Sequence, residues 1–380
     1  MTTIYLVRHA EAEGNLFHRI HGHTNSPLTA RGLEQTAALR RRFETLPVDA
    51  VYASDLCRAV QTAAAAAEPH GLTVRMLEDL REVAMGEWED RPWGNVQAEQ
   101  PEQYRLYTTS PDGWHVPGSE GWEALQARLL GALRQIGEAH PGGSAAVFTH
   151  GRALRAVFCA LLGIPAGEIG RVPTLSNTAV SLLRYENGVF TLEYGNDASH
   201  LPARLVTFRQ ETRLNGEDPP LRDLRLTPFD VLREKESYLR RYKEAWVLSH
   251  GSEKGFSSVY HDWATMRAMA DPRAVMQASL GGEPAGMIEL APDSGAEEGR
   301  GHIAFLCMDP AFRGRGLAVQ LIGHAVSYYR ALGREALRLR VNERNARAVA
   351  FYTKYGFVPV KREKGVVGHV LIMEKGITLP

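Results

Sequence analysis

Short apolar runs alternate with longer stretches of helical periodicity through the first 208 residues. "TIYLVRH", "AVYAS" and "AAVFTHG" are apolar runs that end on polar or potentially catalytic residues. Between them lie "GLEQTAALRRRFETL", "DLCRAVQTAAAAAEPHG" and "EGWEALQARLLGALRQIGEAHPGG". In these the apolar residues recur every three or four positions, the spacing of a helix with one buried face. Alternating strands and helices predict βαβ units and a largely parallel sheet covered by helices. Ligands of such sheets collect beyond the carboxyl ends of the strands. Arg8-His9, Ser54-Asp55 and His150-Gly151 all fall there.

The pattern breaks at "RQETRLNGEDPPLRD", which is charged, carries Asn-Gly and Pro-Pro, and has no apolar period. Residues 209–222 therefore read as a linker between a domain at 1–208 and another at 223–380. Beyond it, "PFDVLREKESYLRRYKEAWVL" and a stretch near 258–270 have helical spacing. "AVMQASLG", "EPAGMIELA" and "RGHIAFLCMD" have the runs of strands. No repeat relates the halves. The alanines at 63–67 suit a closely packed helix.

At 380 residues the chain exceeds the size at which one core stops growing, in agreement with two domains. Lys plus Arg and Asp plus Glu both total 44, so no global field favours nucleic acid or an anionic membrane, and any basic site is local. The three cysteines, Cys57, Cys159 and Cys307, are far apart and read as reduced thiols, neither disulfides nor metal ligands. The opening apolar run is too short for a signal peptide, and nothing approaches the roughly 20 apolar residues of a membrane span. A soluble cytoplasmic protein is expected, with small-molecule substrates and an oligomeric state the sequence leaves open.

Four separated elements of the first half make sense together: Arg8-His9, Arg58 in "SDLCRAVQT", Glu82 in "LREVAMGEWED" and His150 in "FTHGRALR". Two arginines and two histidines at strand ends can surround a tetrahedral dianion, because guanidinium donors match phosphate oxygens. A histidine with one ring nitrogen held by backbone can attack phosphorus with the other. A carboxylic acid nearby can protonate the departing alkoxide and then assist water.

These residues resemble the histidine phosphatase superfamily, which includes the cofactor-dependent phosphoglycerate mutases. Arg8, His9, Ala10, Glu11, Ala12 and Asn15 match its first signature, and "HGHTNSPLTARGLEQT", "SDLCRAVQT" and "THGRALR" match later elements in order. "LSNTAVSLL" and "GNDASHL" also resemble family segments. The resemblance implies a three-layer α/β/α phosphoglycerate mutase-like fold with His9 as the phosphorylated nucleophile. It implies Arg8, Arg58 and His150 as the phosphoryl clamp, Glu82 as proton donor, and Asn15, His21 and the Gly151 amide as lesser substrate contacts. His21 stands where relatives often carry glutamine; His200 is expected to be structural. Ala10 and Ala12 replace a commoner glycine and threonine, which is harmless unless Ala10 needs a positive φ. A mutase holds a more anionic substrate and needs cations after the acid. Here "EVAMGEWEDRPWGN" offers none before Arg91, which favours a monophosphate phosphatase over a mutase. Trp88, Trp93, Trp114 and Trp122 either line a leaving-group pocket or belong to the core.

In the second half a strand ends at Met308, a Pro turn follows, and "RGRGLA" opens a long amphipathic helix. Glycines at such a turn let amides approach an anion at a helix N-terminus. With "ALRLRVNERNARAVAFYTKYGFVPV" downstream, the segment resembles the GCN5-related N-acetyltransferases (GNAT), an α+β acyl-CoA N-acyltransferase fold. The resemblance implies acetyl-CoA as co-substrate and no metal. It implies the segment Arg313, Gly314, Arg315, Gly316, Leu317 and Ala318 as diphosphate cradle, Met308 as backbone contact, Asn345 as cofactor contact and Tyr352 as acid for the leaving thiolate. Cys307 is expected to be a buried strand residue. The base is Glu289, His302 or water. The whole reads as a bifunctional phosphatase–acetyltransferase whose halves act on one amino-containing metabolite or its phosphate. The alternatives are a mutase-type phosphotransferase, or a chain in which one half only binds its ligand.

Overall fold

Strands β1 (Thr2–Arg8), β2 (Ala50–Ala53), β3 (Val74–Met76), β4 (Ser144–Thr149), β5 (Val180–Glu186) and β6 (Val189–Asp197) form the first sheet, in the order β3-β2-β4-β1-β5-β6. The first four are parallel, and β5 and β6 are antiparallel additions. The helices are α1 (Glu13–Phe17), α2 (Ala30–Phe43), α3 (Cys57–Ala67), α4 (Trp93–Glu99), α5 (Pro101–Thr109), α6 (Trp122–Ala139) and α7 (Gly151–Leu161). This computed structural model describes residues 1–207 and 222–380, which divide into two compact units. The predicted linker, apart from Arg222, lies outside the described residues.

Alternate residues of a strand face opposite sides of its sheet. Tyr5 and Val7 of β1 join Leu39 and Phe43 of α2 and the alanines of α3 in one core cluster. Ala63, Ala65, Ala66 and Ala67 are buried, and their small side chains let α3 lie close on β2 and β4. Helices α6 and α7 pack against β1, completing three α/β/α layers.

The second sheet has seven strands: β7 (Arg225–Pro228), β8 (Val275–Leu280), β9 (Glu283–Ala291), β10 (Arg300–Met308), β11 (Ala336–Asn342), β12 (Val358–Lys364) and β13 (His369–Gly376), in the order β12-β13-β11-β10-β9-β8-β7. All neighbours are antiparallel except β10 and β11. Its helices are α8 (Lys235–His250), α9 (Val259–Ala270), α10 (Val319–Ala331) and α11 (Ala346–Lys354). The helix expected from residue 228 begins only at Lys235, because Phe229 and Val231 are drawn into the core with Tyr238 and Val275. Strands β10 and β11 pair only over Arg300–Ile303 and Ala336–Leu339, although both run on. Their far halves diverge, and that opening positions the second site.

Candidate active sites

Register explains how distant residues of the first unit meet. Strands β1 and β4 are parallel neighbours with Arg8 opposite Thr149, so Arg8-His9 and His150-Gly151 leave the sheet side by side. The next strand, β2, leads into α3 and its second residue, Arg58; the turn after β3 leads to Glu82. All come from the carboxyl edge of four adjacent parallel strands.

The His9 and His150 rings lie 5.2 Å apart at 58°. His9 Nδ1 donates to the Ala10 carbonyl at 2.7 Å; since a carbonyl only accepts, the proton sits on Nδ1 and Nε2 keeps its lone pair. His150 is fully buried, and neither ring nitrogen has a hydrogen-bond partner among the described residues. Buried polar atoms are normally satisfied, so this pair marks a place for a ligand. Arg8 and Arg58 are 7% and 1% exposed. Arg8 donates to the Leu175 carbonyl, and Arg58 to the carbonyls of Thr24 at 2.9 Å, Gly22 at 2.7 Å and His21 at 3.2 Å. Burial and the neighbouring Arg58 charge push Arg8 down to about 10, against the pull of Glu82; burial also lowers Arg58, again opposed by Glu82. Two buried cations facing one carboxylate suit an entering dianion. Gly151 leaves room for this: a Cβ there would stand 3.1 Å from Arg8 Nε.

Burial, then Arg58 and Arg8, hold His9 well below the usual histidine range; burial, then Arg58 and His9, do the same to His150. Both rings are neutral at pH 7. Below the ordinary histidine value the unfolded chain takes up protons that these folded rings refuse, so stability rises with pH there. It is therefore lost as pH falls from about 6.5 toward the depressed folded values. The urea midpoint of this unit is expected to be lower at about pH 5 than at about pH 7.5, and an equal or higher midpoint at the acid end would contradict the buried neutral pair.

Glu82 sits at the start of α7, its Oε1 accepting from Ala153 N at 2.8 Å and Val83 N at 3.0 Å, its Oε2 from Arg152 N at 2.9 Å. The neighbouring acids are used elsewhere: Glu89 binds the amides of His23, Thr24 and Met85, and Glu87 accepts from Gln100. Asn15 is exposed and its Oδ1 accepts from Ala12 N at 3.1 Å, capping α1. His21 donates from Nε2 to Asp90 at 3.3 Å, while its buried Nδ1 has no partner among the described residues. Ala10 and Ala12 lack positive φ and pack with Leu28 in a small buried cluster, so the apolar methyl groups replace nothing the backbone requires. Trp88, Trp114 and Trp122 are core residues; the first two cluster with Tyr107. His200 bonds Thr178 and Arg42 and is structural.

Four residues were missed in the sequence. Asn177 donates to the His9 carbonyl at 2.8 Å, and Thr178, left-handed at φ 60°, donates from its backbone to the Arg8 carbonyl at 3.0 Å. Together they pin the backbone of the Arg-His pair. The Arg152 guanidinium lies 4.0 Å from the Tyr107 ring centre, so these two pack together beside Glu82, which accepts from the Arg152 amide. For the first two the signal was the segment "LSNTAVSLL", whose family resemblance does not say what its Asn and Thr bond.

In the second unit the divergence of β10 and β11 opens onto two concavities. A groove of about 510 Å³ is lined by Met308, the loop after it, and α11; a cavity of about 450 Å³ lies against α8 and α9. Tyr352 and Asn345 border both. Gly314 and Gly316 have φ of 78° and 76°, with open space where a side chain would be, and both are exposed just before α10. Arg315 is exposed over the Phe312 ring, Leu317 is buried, and Ala318 begins α10. Arg313 instead staples the loop, bonding the Met308 carbonyl at 2.8 Å and Glu244 at 2.7 Å. Asn345 caps α11 through Ala348 N and donates to Ser249 at 3.0 Å. Burial raises the Tyr352 phenol far above its usual range and pushes the Cys307 thiol up to about 12, so both stay protonated. His302 lines the cavity and is held near 4, by burial first and Arg267 next. Glu289 is 1% exposed, sealed by Arg267 and by Tyr238 at 2.7 Å.

Residues 4–198 match the histidine phosphatase superfamily (branch 1). The chain belongs to that superfamily. Residues 235–357 of this histidine phosphatase superfamily member match the acetyltransferase (GNAT) family, so it also carries a GNAT domain. It is 32% identical over 208 residues to the probable phosphoglycerate mutase GpmB of Enterobacter sp. (strain 638), covering 53% of this chain and 96% of that protein. The GpmB of Salmonella choleraesuis (strain SC-B67) is 31% identical over the same span. Among solved structures, Bacillus stearothermophilus YhfR aligns with a TM-score of 0.51 at 28% identity, over 53% of this chain and 99% of its own. Among the described residues, no helix is long and apolar enough to cross a membrane.

Proposed function

We propose that the chain is a bifunctional enzyme whose first half hydrolyses a small phosphate monoester through phosphohistidine at His9. The observation that carries this is the buried His9–His150 pair, with Nε2 of His9 free to attack and two guanidinium groups beside it. His9 Nε2 bonds to phosphorus as the ester P–O bond breaks, and Arg8, Arg58 and His150 balance the charge on the phosphoryl oxygens. Glu82 protonates the leaving alkoxide. Its Oε2 has fewer backbone donors than Oε1 and is the oxygen suited to carry that proton. Water then attacks phosphorus, Glu82 takes a proton from it, and the N–P bond breaks to release phosphate and neutral His9.

Hydrolysis is favoured over the mutase-type transfer that the name of the GpmB relatives raises. After Glu82, Val83, Met85 and Trp88 are buried, Glu89 is occupied by amides, and the first cation, Arg91, pairs with Glu99. That segment supplies no cations for a second phosphate. The test is incubation of the full chain with a radiolabelled phosphate monoester and acid quench. Acid-labile label on His9 and net phosphate release are expected; no label on a folded protein would overturn the reading.

The second half is proposed to acetylate an amine by direct transfer. Bound acetyl-CoA would supply the acetyl thioester, and the exposed Gly314–Gly316 segment before α10 suits its diphosphate. Tyr352 holds a phenol proton where groove and cavity meet, and neutral His302 can accept the proton the amine loses. Tyr352→Phe is expected to lower kcat about a hundredfold with little change in the acetyl-CoA Kd. An unchanged kcat would make Tyr352 a packing residue. One chain carrying both halves further suggests a shared amino-containing metabolite, to be checked by competition of each substrate class against the other activity.

A further inference from the structure

The 450 Å³ cavity of the second unit has an aromatic wall. Tyr242 and Trp246 come from α8, Tyr260 and Trp263 from α9, and Phe305 from β10. Tyr242 is sandwiched, its ring centre 4.4 Å from Tyr260 at 13° and 4.4 Å from Phe305 at 20°. Trp246 stacks on His250 at 4.0 Å, and Trp263 meets Tyr260 edge-on at 5.5 Å. Rings assembled this way normally close a core; here they border open space, and Trp263 remains 46% exposed.

The charges of the cavity narrow the occupant further. Among the described residues, no aspartate or glutamate lines it, whereas Arg340 and two histidines do. The nearest buried carboxylate considered as a base, Glu289, is sealed by Tyr238 and Arg267. Arg340 is itself paired with Glu363 at 3.1 Å, so an aliphatic ammonium entering here would meet no unpaired carboxylate. Both faces of Tyr242 and one of Trp246 are already covered by rings, so an entering group meets the wall at ring edges, at the other face of Trp246 and at Trp263. A flat, uncharged body suits the space.

Resting on the acetyltransferase reading above, we infer that the acceptor is an arylamine, an amino group on a planar aromatic ring that packs against the Tyr242–Trp246–Tyr260 wall. The nitrogen of an arylamine is uncharged at neutral pH, so attack needs no carboxylate to strip a proton first. The nitrogen bonds to the acetyl carbon as the C–S bond breaks. Tyr352 passes its phenol proton to sulfur, and the proton shed by nitrogen passes to His302 and restores the balance through solvent.

The test offers the full chain acetyl-CoA with substituted anilines, benzylamine, spermidine and glutamate, following thiol release. Anilines are expected to exceed the others about tenfold or more in kcat/KM, with a rate that is flat from about pH 6 to about pH 8.5. Trp246→Ala and Trp263→Ala are each expected to raise the aniline KM about tenfold while the acetyl-CoA Kd, by calorimetry, stays put. Trp263 is the safer variant for folding, being half exposed. Preference for benzylamine, spermidine or glutamate with acetyl-CoA still bound overturns the acceptor class alone, as does an unchanged KM in both variants. Failure to bind acetyl-CoA overturns the acetyltransferase reading and this inference with it.

Discussion

His9→Ala loses phosphate release by about ten-thousand-fold or more, the loss expected when the nucleophile of a covalent mechanism is removed. The substitution leaves Arg8, Arg58 and His150 in place, so a phosphate ester still finds its clamp but no atom to attack phosphorus. Alanine also suits the site sterically, since the chain here is held by backbone: His9 N bonds the Thr149 carbonyl at 2.9 Å, and its own carbonyl accepts from Asn177. The fold is therefore expected to survive. Phosphate release and acid-labile labelling should vanish together while the acetyl-CoA Kd is unchanged. Residual release above about one-hundredth would mean that another group attacks phosphorus, and a large change in acetyl-CoA affinity would mean that the halves are coupled.

Arg58→Lys is the second large effect, and it divides between rate and stability. The Arg58 guanidinium serves the carbonyls of His21, Gly22 and Thr24 and still carries the charge that depresses His9 and His150. A lysine ammonium is a point donor that cannot reach three carbonyls and a phosphoryl oxygen in that planar arrangement. A fall in kcat of about a thousandfold is expected, of the size of losing a transition-state arginine. Loss of charge-assisted bonds at a buried site is expected to cost about 2 kcal/mol of stability. Steady-state kinetics beside thermal unfolding separates the two. A lower Tm with an unaltered kcat would reduce Arg58 to a tether for the 21–24 loop.

Much of the first site was legible because its residues sit where a simple rule puts them. Arg8, His9 and His150 end strands whose apolar runs are unmistakable, and Arg58 opens the helix after another. The acid was harder: Glu78, Asp79, Glu82, Glu87 and Glu89 crowd one stretch; the resemblance singled out Glu82, and in the fold it is the one that meets the first amides of α7. Arg152, Tyr107, Asn177 and Thr178 were invisible as partners, since their contacts span long loops with no period. The two alanines after His9, unexplained by pattern, turn out to fill a small apolar cluster with Leu28.

The second site divides the same way. The glycine loop before α10 and the tyrosine of α11 were readable through the motifs that resemble the GNAT family. Arg313 and Asn345 were expected beside the cofactor; both line the groove, Arg313 bonding the Met308 carbonyl and Glu244 and Asn345 capping α11. The aromatic positions of α8 recur at four-residue spacing, but periodicity alone marks a buried stripe, and nothing in it says that the stripe borders a cavity.

By itself, then, the sequence determined the order of the elements and the place of Arg8-His9 at the first strand's end, because period and strand ends are local properties of the chain, and its motifs carried the resemblance to two fold families. The tertiary structure decided which acid faces the guanidinium groups, which polar atoms stay unsatisfied, and that aromatic rings border an open space without a carboxylate. Those are properties of distance and burial, set where β1 meets β4 and where β10 parts from β11, and no local pattern encodes them.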